Sequence, residues 1–423
     1  VQVPGDKSIS HRAIMLGALA DGDSEVTGFL EGADSLATLA AFRAMGVRIE
    51  GPDAGRVRIR GVGLGGLQAP AAPLDVGNAG TAMRLLCGLL AGQRFASTLV
   101  GDASLSRRPM RRVTEPLTQM GAVIETTAAG TAPLVIRPAP KLSAMHYDMP
   151  VASAQVKSSL LLAGLYADGE TCITEPAVTR DHTERMLATF GCPVRRDGST
   201  VCLPHGGRLR AAPVEVPADI SSAAFFLVGA SIAEDADLTL PAVGVNPTRI
   251  GVLNILEAMG ARLEITNRRS CGAEPVADLR VQSARLTGIE IPADQVPLAI
   301  DEFPALFIAA ACADGETLLT GAGELRVKES DRIAAMADGL AVLGVETEVL
   351  ADGIRIQGRG GRSLAGGVID SLGDHRIAMA FAMAALRAEA PVQVEDCANV
   401  DTSFPGFAAI AAGAGLGIAE ADR

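Results

Sequence analysis

Six times along the chain a polar cluster gives way to an apolar run of small residues, then to an acidic or glycine-containing turn and a β-rich stretch. The copies are KSISHRAIMLGALADGDSEVTG from Lys7, NAGTAMRLLCGLLAGQRFASTLVG from Asn78, QVKSSLLLAGLYADGETCITEP from Gln155, DISSAAFFLVGASIAEDADLTL from Asp219, EFPALFIAAACADGETLLTG from Glu302 and DHRIAMAFAMAALRAEAPVQVED from Asp374. Each predicts a buried helix followed by a strand. A second element stands between copies: a helix that ends in glycine and leads into an alternating strand. Its glycines are Gly46, Gly121, Gly191, Gly260, Gly344 and Gly417, each placed as a helix C-terminal cap. Spacings of roughly 64–84 residues are too long for a solenoid repeat, so each copy is a small αβ unit of two helices and several strands. Three units in each of two domains is the organisation this predicts.

Composition narrows the class. Of 423 residues, 48% are hydrophobic and 20% charged, which excludes a disordered chain. The longest apolar runs, such as AMAFAMAAL at 378–386, fall short of the roughly 20 residues a membrane span needs. No secretory leader is visible, and an opening Val rather than Met implies that the true start lies upstream. The 7 cysteines are odd in number and scattered, without C-x-x-C, which predicts reduced thiols and a cytoplasmic setting. The histidines form no H-E-x-x-H, so no metal signature is present. A net charge of −12 argues against a nucleic-acid or membrane surface as partner. GDKS fails as a Walker A loop because Asp6 stands where that loop needs Gly, and no G-x-G-x-x-G follows a first strand.

The polar clusters pose an electrostatic problem. DKSISHR puts Lys7, His11 and Arg12, with Ser8 and Ser10, at the start of an apolar helix, where the partial positive charge disfavours cations. Other copies open on Asn78, Thr81 and Arg84, on Ser153, Gln155 and Lys157, on Asp301 and Glu302, and on His375 and Arg376. If pseudo-symmetry relates the copies, these helix starts converge on one cleft suited to a strongly anionic small ligand. For any single cation, snorkelling or surface pairing is the commoner explanation; for the whole set it is not. GDASLSRRPMRR adds Arg107, Arg108, Arg111 and Arg112, with Pro109 suited to a helix's first turn and a solvated basic face as the alternative. ELRVKESDRI spaces Lys328, Glu329 and Arg332 for one helical face, with a surface ion-pair ladder an equal explanation. Taken alone, Asp301–Glu302 reads more readily as a helix cap than as a site.

In order along 1–407, PGDKSISHR, DVGNAGTAMR, SLSRRPM, VASAQVKS, TRDHTE, IDEFP, LRVKESDRI, DHRIAM and TSFP resemble the 5-enolpyruvylshikimate-3-phosphate synthases, or 3-phosphoshikimate 1-carboxyvinyltransferases. The resemblance implies the α/β enolpyruvyl transferase fold: two similar domains, each three copies of a βαβαββ-type unit, a pseudo-sixfold repeat. It implies an upper domain of 7–216 and a lower domain of 217–423 with the N-terminal strand 1–6. The crossovers would fall near Asp6–Lys7 and Val216–Asp219, with the active site in the cleft between the domains. The implied reaction moves the enolpyruvyl group of phosphoenolpyruvate to the 5-hydroxyl of shikimate 3-phosphate and releases phosphate, in the shikimate pathway of aromatic amino-acid biosynthesis. No metal or organic cofactor is implied, nor a nucleic-acid or membrane partner; the expected state is a cytoplasmic monomer inhibited by glyphosate.

By the same resemblance Lys7 reaches both substrates, and Ser8 and Arg12 hold the shikimate carboxylate and ring. Ser153, Ala154, Gln155 and Arg180 cradle the 3-phosphate, where guanidinium forks suit phosphate oxygens, and Asp301 and Lys328 also contact this substrate. Gly80, Arg108, Gln155, Arg332 and Arg376 join Lys7 on phosphoenolpyruvate, with Gly80 letting the backbone approach and leaving space for the longer glyphosate. Asp301 resembles the base for the 5-hydroxyl, Glu329 the group that exchanges a proton with the enol methylene, and Lys7 and Lys328 steady the developing charge. Glu324 stands where many members carry Asn, Thr402 where many carry Lys, and Ala154 where Ser is common. Arg180 and Thr402 align with glyphosate-tolerant members, Gly80 with sensitive ones. Two alternatives are a UDP-N-acetylglucosamine enolpyruvyl transferase, whose catalytic loop carries a Cys that DASLSRRPM lacks, and a non-catalytic anion receptor, which gains nothing from carboxylates among its cations.

Overall fold

The computed structural model describes residues 1–419. The chain divides into two compact units: a first of Gly5–Val216 with Cys271–Ala273, and a second of Val1–Pro4, Pro217–Ser270 and the chain from Glu274 onward. The first holds α1 (Lys7–Leu19), α2 (Ala33–Ala44), α3 (Gly80–Ala91), α4 (Arg111–Gln119), α5 (Ala154–Gly164) and α6 (His182–Thr189). The second holds α7 (Ile220–Ile232), α8 (Gly251–Ala258), α9 (Phe303–Cys312), α10 (Arg332–Val342), α11 (His375–Ala384) and α12 (Phe407–Gly413).

Three four-stranded sheets of the first unit share one topology. Leu74–Asp75 runs parallel to Ser97–Val100, which pairs antiparallel with Leu134–Arg137, itself antiparallel to Val123–Glu125. Interleaved with α3 and α4, these strands make a βαβαββ unit. His146–Asp148, Thr171–Thr174, Thr200–Leu203 and Arg195–Asp197 repeat it around α5 and α6. In the remaining copy Val214–Glu215 supplies the parallel edge beside Asp21–Thr27, followed by Arg56–Val62 and Arg48–Asp53, so a strand from the end of the unit completes its first sheet. Helices α1, α3 and α5 are apolar nearly all round and form the core, as helices lacking a polar face must. Small residues let them approach: a Cβ on Gly88 of α3 would lie 2.0 Å from the carbonyl oxygen of Ser159 on α5.

The second unit repeats the pattern with losses. Asp237–Gly244, Glu274–Gln282 and Arg262–Cys271 form one sheet, with Ala218 bridging parallel to Val243. Glu316–Leu319, Ile354–Gln357 and Glu346–Val349 form the next, with Glu290 bridging parallel to Leu318. The last is the parallel pair Gly367–Asp370 and Val392–Glu395. No strand follows α12 among the described residues, so the strand expected at GLGIAEA does not form up to residue 419, and the remainder of that stretch lies outside the described residues. Gly46, Gly121, Gly191, Gly260 and Gly344 take the expected cap conformation, with φ of 85°, 95°, 83°, 90° and 73°. Gly417 does not: α12 already ends at Gly413, and the left-handed turn falls on Gly415 at φ 102°.

The expectation of seven reduced thiols also fails. Thr171–Thr174 and Thr200–Leu203 place Cys172 directly opposite Cys202, with Cα atoms 4.0 Å apart, and the two form a disulfide. Pairing register is a tertiary property, and thirty residues of sequence separation conceal it. Among the described residues no helix is long and apolar enough to cross a membrane.

One core residue carries an ionisable ring. His11 of α1 is fully buried, its Nδ1 2.7 Å from Thr38 Oγ1 on α2. Thr38 donates its hydroxyl hydrogen to the Asp34 carbonyl oxygen at 3.4 Å, which leaves its lone pairs for an Nδ1–H. Nε2 has no partner among the described residues. Desolvation, and then the charges of Lys7 and Arg12, hold the imidazole neutral down to about 3. The unfolded chain takes up that proton near 6.5, so the stability contributed by neutral His11 is complete above that value and falls as pH drops from there toward 3. His11→Asn should flatten the acid side of the stability curve. Between pH 7 and pH 5 the native protein should lose about 2 kcal/mol more than the variant in urea unfolding; equal losses would show that another group is responsible.

Candidate active site

In the first unit hydrogen bonds tie the helix starts together. Asp6 caps α1, its Oδ1 accepting from Ile9 N at 2.9 Å, and this carboxylate offsets the cations beside it. Lys7 Nζ lies 2.8 Å from Asp34 Oδ2 on α2. Arg12, 5% exposed, donates from Nε to Thr183 Oγ1 at 2.7 Å, from one terminal nitrogen to the Ser8 carbonyl at 2.9 Å and from the other to Ser158 Oγ at 2.9 Å. The predicted shared face of Ser8 and Arg12 is therefore real, and Arg12 joins α1 to α5 and α6. Arg180 stands half-buried in the loop just ahead of α6.

Around α3 and α5, Arg84 donates to Gln155 Oε1 at 2.7 Å while Gln155 Nε2 donates to Thr81 Oγ1 at 3.0 Å, which fixes the amide's orientation. Ser153 caps α5, its Oγ accepting from Val156 N at 3.4 Å, and Ala154 is the first helical residue. Arg108 is buried and donates to Asn78 Oδ1 at 2.6 Å. A Cβ on Gly80 would sit 2.8 Å from Arg108 Nη1 and 3.4 Å from Arg84 Nη1. The space beside Gly80 is thus not open, as the sequence suggested; a guanidinium tip fills it.

Several expected members of the cation set point elsewhere. Lys157 is fully buried and pairs with Glu175 and Glu184, because its place on the fourth residue of α5 turns it inward. Arg111 donates to the carbonyls of Ala128 and Ala129 on the surface, and Arg107 is exposed. Pro109 lies outside a helix, since α4 begins at Arg111 with Met110 as its cap.

The second unit has its own focus, the guanidinium of Arg332, which is 1% exposed. Its Nε lies 2.8 Å from Asp374 Oδ2, one terminal nitrogen 2.6 Å from Glu329 Oε2 and the other 3.4 Å from Asp301 Oδ1. Burial works against its charge, but Asp374, Glu329 and Asp301 more than offset that and hold it protonated above the ordinary guanidinium range. Lys328 Nζ lies 3.4 Å from the same Asp301 oxygen and 3.8 Å from Glu324. Arg376 donates to the Asp301 carbonyl at 2.9 Å and stands 4.0 Å from Glu302.

Two sequence readings change here. Lys328 and Glu329 do not share a helical face with Arg332, because Asp331 caps α10, accepting from Ala334 N at 3.1 Å, and the helix begins at Arg332. Both precede it in a bend, yet Glu329 still meets Arg332. The cap reading of Asp301–Glu302 fails as well. Glu302 makes no side-chain cap to α9 and instead accepts from the Ser221 hydroxyl beside Arg249, while Asp301 serves Lys328 and Arg332. Thr402 turns its hydroxyl to the Asn399 carbonyl at 2.6 Å.

Sequence reading missed Asp374 and Asp34. Asp374 is wholly buried, caps α11 through Arg376 N at 2.9 Å, and accepts from Ser330 at 3.1 Å as well as from Arg332. Its place directly before HRIAM was a cap signal. Asp34 offered none, since only the folding of α2 against α1 brings it to Lys7.

Residues 1–410 match the family model of EPSP synthase (3-phosphoshikimate 1-carboxyvinyltransferase). A 3-phosphoshikimate 1-carboxyvinyltransferase of Alkalilimnicola ehrlichii is 67% identical over 422 residues, 100% of this chain and 94% of its own. One of Methylococcus capsulatus is 66% identical, covering 99% of this chain and 95% of its own. The solved EPSP synthase of Acinetobacter baumannii superposes with a TM-score of 0.88 at 56% identity, over 100% of this chain and 97% of that one. The enolpyruvyl transferase NikO of Streptomyces tendae shares the fold alone, with a TM-score of 0.77 at 17% identity over 96% of this chain and 92% of its own. A βαβαββ repeat in the first unit that the second keeps with losses, buried cations at the helix starts of the first and a guanidinium ringed by carboxylates in the second are thus found in a chain that belongs to the EPSP synthase family, the 3-phosphoshikimate 1-carboxyvinyltransferases.

Proposed function

We propose that the residues gathered in the two units act on one pair of substrates, shikimate 3-phosphate and phosphoenolpyruvate, and divide the chemistry between them. As a 3-phosphoshikimate 1-carboxyvinyltransferase the chain transfers the enolpyruvyl group to the 5-hydroxyl and releases phosphate. Ser153, Ala154, Gln155 and Arg180 would hold the 3-phosphate, and Ser8 and Arg12 the shikimate carboxylate and ring. Lys7, Gly80, Arg108, Gln155, Arg332 and Arg376 would meet phosphoenolpyruvate. The observation that carries this reading is that Asp301 and Glu329 both rest on Arg332, a cation proposed to meet phosphoenolpyruvate. Anionic oxygens of phosphoenolpyruvate arriving at Arg332 compete with both carboxylates, and each carboxylate relieved of its cation becomes a better proton acceptor.

Glu329, released from Arg332, takes up a proton from solvent and delivers it to the methylene carbon, which makes C2 of the enolpyruvyl group electrophilic. Asp301 accepts the proton of the 5-hydroxyl as that oxygen bonds to C2, giving a tetrahedral adduct. Asp301 returns its proton to the departing phosphate oxygen as the C2–O bond to phosphate breaks, and loss of a proton from the new methyl group, back to Glu329, restores the double bond as an enol ether. Lys7 and Lys328 stand against the charge that builds on the oxygens. Asp374 is given no substrate to hold; it is wholly buried and fixes Arg332 through Nε. A monomer in the cytoplasm is the setting proposed for this activity.

The assay is phosphate release from phosphoenolpyruvate with shikimate 3-phosphate as acceptor, run beside UDP-N-acetylglucosamine, which should give none. In the same assay Asp301→Asn and Glu329→Gln should each lower kcat by about 10²-fold or more, the range of general acid–base catalysis, with shikimate 3-phosphate affinity changed far less. Near-native kcat in either variant would remove that residue from the chemistry.

Gly80→Ala gives a second test. The added methyl must push back Arg108, so phosphoenolpyruvate and glyphosate, both proposed to bind there, should each lose affinity. The longer glyphosate should lose more. If overpacking of about 1–3 kcal/mol falls on it alone, its inhibition constant rises roughly 5- to 150-fold, while the KM for phosphoenolpyruvate rises less. Equal losses would show that the methyl does not discriminate between them.

A further inference from the structure

The most thoroughly buried charge of the first unit lies outside every role assigned above. Lys157 on α5 is 0% exposed, and its Nζ stands 2.9 Å from Glu175 Oε1, 2.7 Å from Glu184 Oε1 and 3.4 Å from the carbonyl oxygen of Thr179. Three partners surround this ammonium: it donates a hydrogen bond to the Thr179 carbonyl oxygen and ion-pairs with Glu175 and Glu184, which offer it acceptor oxygens at close range. Those partners follow one another along a single stretch: Glu175 just past the strand Thr171–Thr174, Thr179 in the following loop, and Glu184 on α6. The loop's own bonds reinforce the arrangement. Thr179 donates its hydroxyl to Glu175 Oε1, and Arg196 reaches Glu175 Oε2 at 3.2 Å. Two cations thus balance two carboxylates, which is what allows such a group inside a protein at all.

We infer that Lys157 is a positioning residue, a clamp that fixes the 175–184 segment at both ends and at Thr179, and thereby sets the aim of Arg180. This rests on the proposed role of Arg180 at the 3-phosphate. Arg180 follows Thr179 directly, so a loop pinned at the Thr179 carbonyl has little freedom to swing the guanidinium away. The neighbouring residue of α5 extends the grip: Ser158 Oγ accepts from Thr183 at 2.7 Å, and both take hydrogen bonds from Arg12. Two consecutive residues of α5 therefore hold the loop and α6 against the helix start that carries Ser153, Ala154 and Gln155. A fixed loop lowers the ordering cost of phosphate binding, so the clamp acts on shikimate 3-phosphate affinity and not on the chemical step.

Lys157→Met alone leaves an unanswered carboxylate inside and endangers the fold, so the charge-balanced pair Lys157→Met with Glu184→Gln carries the test. Its thermal midpoint should stay near that of the native protein. Amide hydrogen exchange across 176–181 should nonetheless quicken about tenfold or more. The KM for shikimate 3-phosphate should rise by about tenfold, with kcat and the KM for phosphoenolpyruvate within about threefold of native. Native exchange and native KM in the double variant would overturn the clamp and leave a cluster that only supports the fold; so would faster exchange with an unchanged KM. The exchange measurement needs no substrate, which separates the two inferences. Faster exchange beside a native enzyme that fails to use shikimate 3-phosphate would uphold the clamp and sink the proposed role of Arg180. Unchanged exchange beside normal native turnover would do the reverse.

Discussion

A guanidinium buried to 1% exposure must be surrounded by carboxylates, and at Arg332 those carboxylates include the proposed acid and base. The desolvation of a cation is tolerated only when opposite charges stand close to it. Asp374, fully buried, fixes the guanidinium through its Nε. Asp301 and Glu329, partly exposed, balance it too, and in the proposed mechanism give way to a substrate anion. One arrangement therefore balances a buried cation and gathers around it the two carboxylates proposed to carry the proton transfers. A site built from cations alone would repel itself, and carboxylates placed apart from the cations would not sense the arrival of substrate.

The first unit obeys the same constraint in another form. Cations at the start of α1 are tolerated because Asp6 caps the helix, Asp34 holds Lys7, hydroxyls and a carbonyl take the Arg12 hydrogens, and His11 stays neutral. Carboxylate caps recur at α7, α10 and α11, from Asp219, Asp331 and Asp374. The polar helix starts thus combine N–H groups facing outward with side chains fixed by their neighbours, which is the preorganisation an anion site requires.

Local pattern carries much of this arrangement. Apolar runs punctuated by turns locate the helices of the six copies, and the order of the motifs along the chain points to the family. What escapes is set by tertiary contact. Lys157 looks like one more cation of the cleft because sequence spacing does not reveal which way a residue near a helix start will face. Lys328 and Glu329 look helical because i,i+3 and i,i+4 spacing fits a helix or a bend equally well until Asp331 is recognised as the cap. Asp34 carries no signal, since its partner lies across a helix–helix contact. The Cys172–Cys202 bond depends on strand register, and Gly417 fails as a cap because α12 ends at Gly413, which puts the left-handed position on Gly415. The space beside Gly80 looks empty because an adjacent Arg108 cannot be placed from sequence.

The proposed chemistry turns on competition between carboxylates and substrate for Arg332, and binding of inorganic phosphate or phosphoenolpyruvate to the Glu329→Gln enzyme tests it without turnover. Isothermal titration calorimetry of native and variant protein gives both dissociation constants. Removing a carboxylate that holds Arg332 should leave the cation freer for phosphate, so the variant should bind either anion more tightly than the native enzyme. Weaker binding in the variant would mean that Glu329 supports the anion site, and the competition at Arg332 would be contradicted.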